Sequence, residues 1–265
     1  MLKTLLILLL SLVALAIFVF VLMYIFQRKL LYPAPKGQLP LQLPAHVTQV
    51  EFKIGYGLLM LPERTDPAPA IIFLHGNGEW AAQWIESFQP LVDTGFAVML
   101  VEYPGYAGAS GKSSLDSMAQ IMRDAFDDMV ARPEVDATAI VSYGRSLGGG
   151  GACLLAASRP VAALVLESTF STLQKLVGEL HYPSVFLKDK YDNQSIVSSL
   201  DIPVFIYHGT EDELIGVHHG RELDAAARNS ELILQQCDHN NCPRPWPEIT
   251  RFLSVNQIAG VRQVN

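Results

Sequence analysis

"IVSYGRSLGGGGA", residues 140–152, runs an apolar stretch into Gly144-Arg145-Ser146-Leu147-Gly148 and then three more glycines. Glycine weakens strands and helices alike. Two of them flanking one serine, between an apolar run and a helical pattern, mark a very tight turn. G-x-S-x-G at a strand-to-helix junction is the setting of a nucleophile elbow, in which the turn lifts the serine hydroxyl above the sheet edge. The flanking glycines then let strand and helix approach without a Cβ clash. Taken alone, the motif also fits a plain glycine-rich turn capped by serine. Gly149, Gly150 and Gly151 predict a helix that is weak near its start.

The surroundings favour the elbow. Short apolar runs at 49–54, 57–61, 70–75, 96–101, 138–143, 162–167, 203–208 and 231–236 read as strands. Several are continuously apolar ("AIIFLH", "AVMLV", "ALVLE", "VFIYH"), as strands buried on both faces are. Between them, 79–92, 114–131, 146–158, 217–228 and 245–255 have helical spacing. This alternation predicts an α/β fold: a mostly parallel sheet of about eight strands with helices on both faces. The first two runs are close enough for an antiparallel hairpin at one edge. Residues 168–200 form a longer insert, with Leu173, Leu176, Leu180, Tyr182, Val185, Phe186 and Leu187 among charges. A small lid over the carboxyl edge of the sheet is its expected place.

Ahead of this domain, Leu5–Phe26 holds 22 residues without charge and with Ser11 as the polar interruption. As a helix it would span about 33 Å, enough for a bilayer core. Residues 1–31 are read as an uncleaved transmembrane anchor and juxtamembrane segment, and 32–265 as a single α/β domain that holds the insert. A cleaved signal peptide is the competing reading, with Lys3 before the apolar run and Ala14-Leu15-Ala16 as a cleavage-like site. Tyr24, Phe26, Tyr32, Arg28 and Lys29 fit an interfacial belt. Lys3 on one side and Arg28, Lys29 and Lys36 on the other nearly balance, so charge leaves the orientation open. "YPAPKGQLPLQLP" links anchor to domain.

Beyond residue 31 lie 26 acidic and 16 basic residues, a net charge of −10. Such a surface repels nucleic acid and anionic headgroups, so nucleic-acid binding is excluded and membrane association falls to the apolar segment. Three cysteines give no disulfide framework. Cys237 and Cys242 could pair in an oxidising compartment, and Cys153 reads as a buried thiol.

A serine needs a base. Of seven histidines, His75 and His208 end strands before a glycine, and His46 and His181 lie in the linker and the insert. His218 and His219 open a helix and are expected to be exposed, without matching ligand spacing for a metal. His239, after the last strand in "LILQQCDHNNC", is the expected base. Asp212, in the loop of "VFIYHGTEDELIG", is the expected acid that holds the imidazole in one tautomer. Glu167 is the alternative acid, while Glu211 and Glu213 read as a solvated loop face. The order Ser146, Asp212, His239 is the one associated with this elbow. Oxyanion donors are expected from the amides of Leu147, at the helix start, and Asn77, in "HGNGE" after a strand. The chemistry calls for no cofactor and no metal.

The strand end "LHGNGE", the loop "EYPGYAGASG", the elbow "GRSLGG", the acid loop "HGTEDELI" and the base loop "DHNN" together resemble the α/β-hydrolase superfamily over about 47–255. More narrowly, the chain resembles single-pass membrane-anchored serine hydrolases with monoacylglycerol-lipase-like and protein-depalmitoylating members. The resemblance implies the triad, two oxyanion amides and a site at the carboxyl edge of the sheet. It departs in the base loop, where Asp238 and Asn241 stand in place of the more usual glycine and aspartate. Asp238 would either raise the basicity of His239 or only decorate the loop. The expected activity is hydrolysis of carboxylic esters or thioesters, on a small-molecule or lipid substrate. A peptidase of the same fold and a non-catalytic membrane-tethered binding protein are the alternatives.

Overall fold

A computed structural model describes residues 2–35 and 43–258. Most of the proline-rich linker, with Lys36, lies outside the described residues. Eight strands form one sheet: β1 (Val47–Glu51), β2 (Tyr56–Met60), β3 (Ala68–Leu74), β4 (Ala97–Val101), β5 (Val135–Arg145), β6 (Ala163–Glu167), β7 (Val204–Gly209) and β8 (Ser230–Gln235). The order is β1-β2-β4-β3-β5-β6-β7-β8. β1 and β2 pair antiparallel, β2 joins β4 antiparallel, and every later pairing is parallel. This is the expected fold class, with the hairpin at one edge.

The apolar runs are buried on both faces because successive side chains alternate across the sheet. Along β3, Ile72 and Leu74 join the cluster of Met122, Phe126 and Leu155, while Ile71 and Phe73 join that of Trp84, Phe88 and Phe252. The first layer is built by α3 (Leu115–Val130) and α4 (Gly148–Ser158); the second by α2 (Ile85–Asp93) and α8 (Trp246–Val255). Ser114 starts α3 with a capping box shared with Ser117. α7 (His218–Ala226) joins β7 to β8 on the face of the sheet that α3 and α4 cover, where Leu223 packs.

The expected helix over 79–92 is shorter. A 3-10 turn, Ala81–Trp84, precedes α2. The reason is a loop pinned by two carboxylates. Glu79 Oε2 accepts from Gly76 N at 2.7 Å, and Glu102 Oε2 accepts from Ala81 N at 2.8 Å. Carboxylates thus fix the loop after β3 before a helix can begin. The helix predicted from 146 likewise starts at Gly148, because Ser146 belongs to the turn.

The insert holds α5 (Leu173–Glu179), a 3-10 turn at Ser184–Phe186 and α6 (Asn193–Ser199). Leu173 and Leu187 are buried; Leu180, Val185 and Phe186 are exposed. The first helix, α1 (Leu2–Leu31), is long and apolar enough to cross a bilayer, with a mean hydropathy of 3.4 over its most apolar 18 residues. Its last turns pack on the insert. Arg28 makes two 2.9 Å hydrogen bonds to Asp189, and the Tyr32 and Tyr191 hydroxyls are 2.9 Å apart.

Candidate active site

β5 ends at Arg145, and the chain enters the left-handed region at Ser146, with φ of 53°. A non-glycine residue there is strained unless its surroundings enforce it. Ser146 N donates to Glu167 O at 2.8 Å, and Thr169 Oγ1 donates to Ser146 O at 2.6 Å. Both partners lie at the end of β6, so the sheet itself clamps the turn. A Cβ on Gly144 would sit 2.3 Å from Gly148 O, and one on Gly148 would sit 2.0 Å from Leu74 O. These two glycines are required by contact between α4 and the sheet.

The turn presents Ser146 Oγ 3.0 Å from His239 Nε2, and His239 Nδ1 lies 2.7 Å from Asp212 Oδ2. All three residues are buried. Asp212 follows β7 and is oriented by its own loop, since Oδ1 accepts from Leu214 N at 3.0 Å and Ile215 N at 2.7 Å. Its other oxygen is left for the imidazole. With Nδ1–H directed at a carboxylate, Nε2 faces the serine with its lone pair, the tautomer a general base needs.

His239 sits in a loop closed by a disulfide between Cys237 and Cys242. Asp238 accepts from the amides of Asn240 and Asn241, each at 2.8 Å. These bonds hold its carboxyl below its ordinary range. Asp238 thus caps the turn that carries His239.

Glu167, the alternative acid, is engaged elsewhere. It takes Tyr143 and Arg244 as hydrogen-bond donors and lies 3.4 Å from Arg145 Nε. Arg145, whose importance the motif does not reveal, connects this cluster to His239: it pairs with Glu79 and donates from Nη2 to His239 O at 2.7 Å. The available signal was an arginine in an otherwise apolar elbow, with two glutamates ending nearby segments.

Leu147 is buried at the start of α4, with its amide directly after the serine. Asn77 lines one cavity with Ser146 and Leu147, and its Oδ1 accepts from Tyr106 Oη at 3.1 Å. The loop carrying Asn77 is anchored by buried polar bonds. His75 Nε2 is 3.0 Å from Glu102 Oε1, and Tyr103 Oη donates to His75 O at 2.6 Å. His75 is therefore structural.

His208 Nε2 donates to Ile215 O at 2.7 Å and supports the acid loop from below. Burial lowers its pKa. His219 is fully buried, a correction to its expected exposure, while His218 is half-buried. Their ring nitrogens and a Glu179 carboxylate oxygen lie within 4.8 Å of one another. His219 Nδ1 accepts from Ser171 N at 3.2 Å, so Nε2 carries the proton and donates to Glu179 at 3.2 Å. The group thus satisfies itself as a link between α5 and α7.

Above Ser146 lies a mainly apolar cavity of about 320 Å3. Phe170, Leu173, Leu176 and Leu187 from the insert line it, with Ile215 from the acid loop. Such a lining suits an apolar group beside the serine.

A family model of the alpha/beta hydrolase fold matches residues 69–197. The uncharacterized protein Rv2307c of Mycobacterium tuberculosis is 30% identical over 257 residues, which cover 88% of this chain and 89% of that one. The human protein ABHD12B is 30% identical over 190 residues, covering 62% of this chain and 51% of its own. Among solved structures, an acetyl xylan esterase from Paenibacillus sp. R4 superposes with a TM-score of 0.64 at 16% identity, over 86% of this chain and 98% of that one. The chain belongs to the α/β-hydrolase fold family.

Proposed function

We propose that the protein is a serine hydrolase that cleaves carboxylic esters or thioesters through an acyl-enzyme. Its substrates would be lipid-like or acylated molecules, met at a membrane to which α1 tethers the domain. The observation that carries this reading is the buried relay from Ser146 Oγ to His239 Nε2 at 3.0 Å and from His239 Nδ1 to Asp212 at 2.7 Å.

Ser146 Oγ attacks the substrate carbonyl while His239 Nε2 takes its proton. Asp212 stabilises the imidazolium that forms. The carbonyl oxygen becomes an oxyanion, held by the amides of Leu147 and Asn77; the former also lies at a helix N-terminus, where the dipole favours negative charge. His239 returns the proton to the leaving alcohol or thiol. Water, deprotonated by the same imidazole, then releases the acid. The apolar chamber favours an acyl group over a charged one.

Fluorophosphonate labelling and p-nitrophenyl ester hydrolysis test the assignment. Wild type should label and turn over, and Ser146→Ala should lose labelling and fall at least about 10⁴-fold in kcat. Equal labelling of both proteins would refute it.

A further inference from the structure

We propose that α1 is a wall of the acyl pocket as well as a tether, and that the acyl chain enters this pocket sideways from the bilayer. The inference rests on the ester-hydrolase reading and adds the route and the residues that set chain-length preference.

Met23, Gln27, Leu30 and Leu31 line the same cavity as Ser146. Their spacing of four, three and one residues puts them on one face of α1. Opposite them stand Leu173, Leu176 and Val177 of α5, with Leu180 directly after its end. The chamber over the serine is therefore closed by two facing helices, one of them apolar enough to span a bilayer.

The two walls are held in register by polar bonds. Gln27 is buried at the end of an otherwise lipid-like helix, and its amide is used up by backbone. Nε2 donates to Tyr24 O and Phe186 O, both at 3.2 Å, and Oε1 accepts from Lys188 N at 2.7 Å. One turn of insert is thus hydrogen-bonded to the anchor, next to the Arg28–Asp189 pair. A loose tether would need none of these contacts.

The depth follows from the same packing. The Phe186 ring meets Phe20 edge-on, with centroids 4.9 Å apart. Phe20 lies six residues inside Phe26, about 9 Å along the helix, within the uncharged run. Any bilayer that covers Leu5–Phe26 therefore covers the tip of the insert too. Leu180, Val185 and Phe186 are exposed in the insert and Leu214 in the loop beside the same cavity, an apolar rim suited to lipid rather than water.

The full-length protein in lipid nanodiscs provides the test, read as the ratio of kcat/KM for p-nitrophenyl palmitate to that for the butyrate. Met23→Trp narrows the wall and should lower the ratio about tenfold, the scale at which apolar pockets discriminate by size. Leu30→Ala widens it and should raise the ratio, whereas Ile25→Trp, on the opposite face of α1, should leave it unchanged. Equal losses on both esters in the wall variants, or the same shift in Ile25→Trp, would make α1 a mere support and overturn the proposal. A nitroxide on Val185→Cys gives an arm independent of catalysis. Collisions with oxygen should exceed those with a water-soluble nickel chelate, and the reverse would place the rim in water and overturn the lateral entrance. Absence of both ester turnover and fluorophosphonate labelling in wild type would instead remove the hydrolase reading, and the wall with it.

Discussion

Arg145 Nη2 donates to the carbonyl oxygen of His239 at 2.7 Å, so the residue before the proposed nucleophile holds the backbone of the proposed base. The same guanidinium pairs with Glu79, beside the Asn77 loop, and approaches Glu167 at the end of β6. Three loops that bear the candidate machinery thus share one buried cation.

Arg145→Met should therefore damage both stability and function. Glu167 would keep Arg244, but Glu79 would lose its cationic partner. Breaking one side of a buried ion pair costs about 3–5 kcal/mol, to be read from urea denaturation. Arg145→Lys keeps the charge without the planar fork that reaches both Glu79 and His239 O. It should fold, yet label with fluorophosphonate more slowly than wild type. Wild-type labelling by the lysine variant would show that charge alone suffices.

Asp212→Asn separates chemistry from folding. The loop amides of Leu214 and Ile215 still find an oxygen acceptor, so the melting temperature should stay near that of wild type. An amide nitrogen facing Nδ1, however, turns His239 into the tautomer whose Nε2–H points at the serine. A fall of about 10⁴-fold in kcat is expected from that error. Retention of activity within tenfold would deny Asp212 its proposed role.

The disulfide closes a ring around Asp238–Asn241 and so restrains His239. A loop this short removes about 2 kcal/mol of chain entropy from the unfolded state. The double variant Cys237→Ser, Cys242→Ser should lose roughly that much stability and label more slowly. Bonded thiols in protein alkylated directly from native membranes would place the domain in an oxidising compartment. Free thiols there would leave the pair without a part in the cell.

The sheet was legible because its strands are buried on both faces, which writes them as unbroken apolar runs such as 71–74 and 97–101. Ser146, Asp212 and His239 could be picked out because each follows a strand, and the carboxyl ends of parallel strands share one edge. What escaped depends on partners distant in sequence. His219 looked exposed beside His218 because Glu179 and Ser171, which bury it, lie 40 and 48 residues away. Arg145 fills an x position of G-x-S-x-G, to which the motif assigns no role. Gly149 and Gly150 looked only helix-weakening, but a Cβ there would meet Thr169 Oγ1 at 2.3 Å and Tyr191 Cδ1 at 2.4 Å. The helix gives up propensity so that α4 can press against the insert and β6. The start of α2 was misjudged because Glu79 turns back onto Gly76 N instead of entering a helix, and the Glu102 carboxylate that holds Ala81 N lies 21 residues away.

His208 makes stability depend on pH. Burial lowers its pKa, against the opposing pull of Ile215 O and Asp212; His239 and His218, the other titratable groups near it, act in the same direction as burial. Its Nε2–H is committed to Ile215 O, and Nδ1 has no hydrogen-bond partner among the described residues. A proton on Nδ1 would therefore be a buried, unpartnered N–H. The unfolded chain accepts that proton near the ordinary histidine value of about 6.5, whereas the folded chain refuses it until lower pH. Below about 6.5 the unfolded state thus binds more protons than the native state, and stability rises with pH. The contribution is intact above the unfolded value and is lost as pH falls toward the lowered native one, by at most about 1.4 kcal/mol per pH unit for one histidine. Burial shifts His219 in the same direction and adds to the slope. Urea denaturation at pH 7.5, 6.5 and 5.5 should show this decline. His208→Gln, whose amide can still donate to Ile215 O, should flatten it, and an unchanged slope in that variant would assign the dependence to other groups.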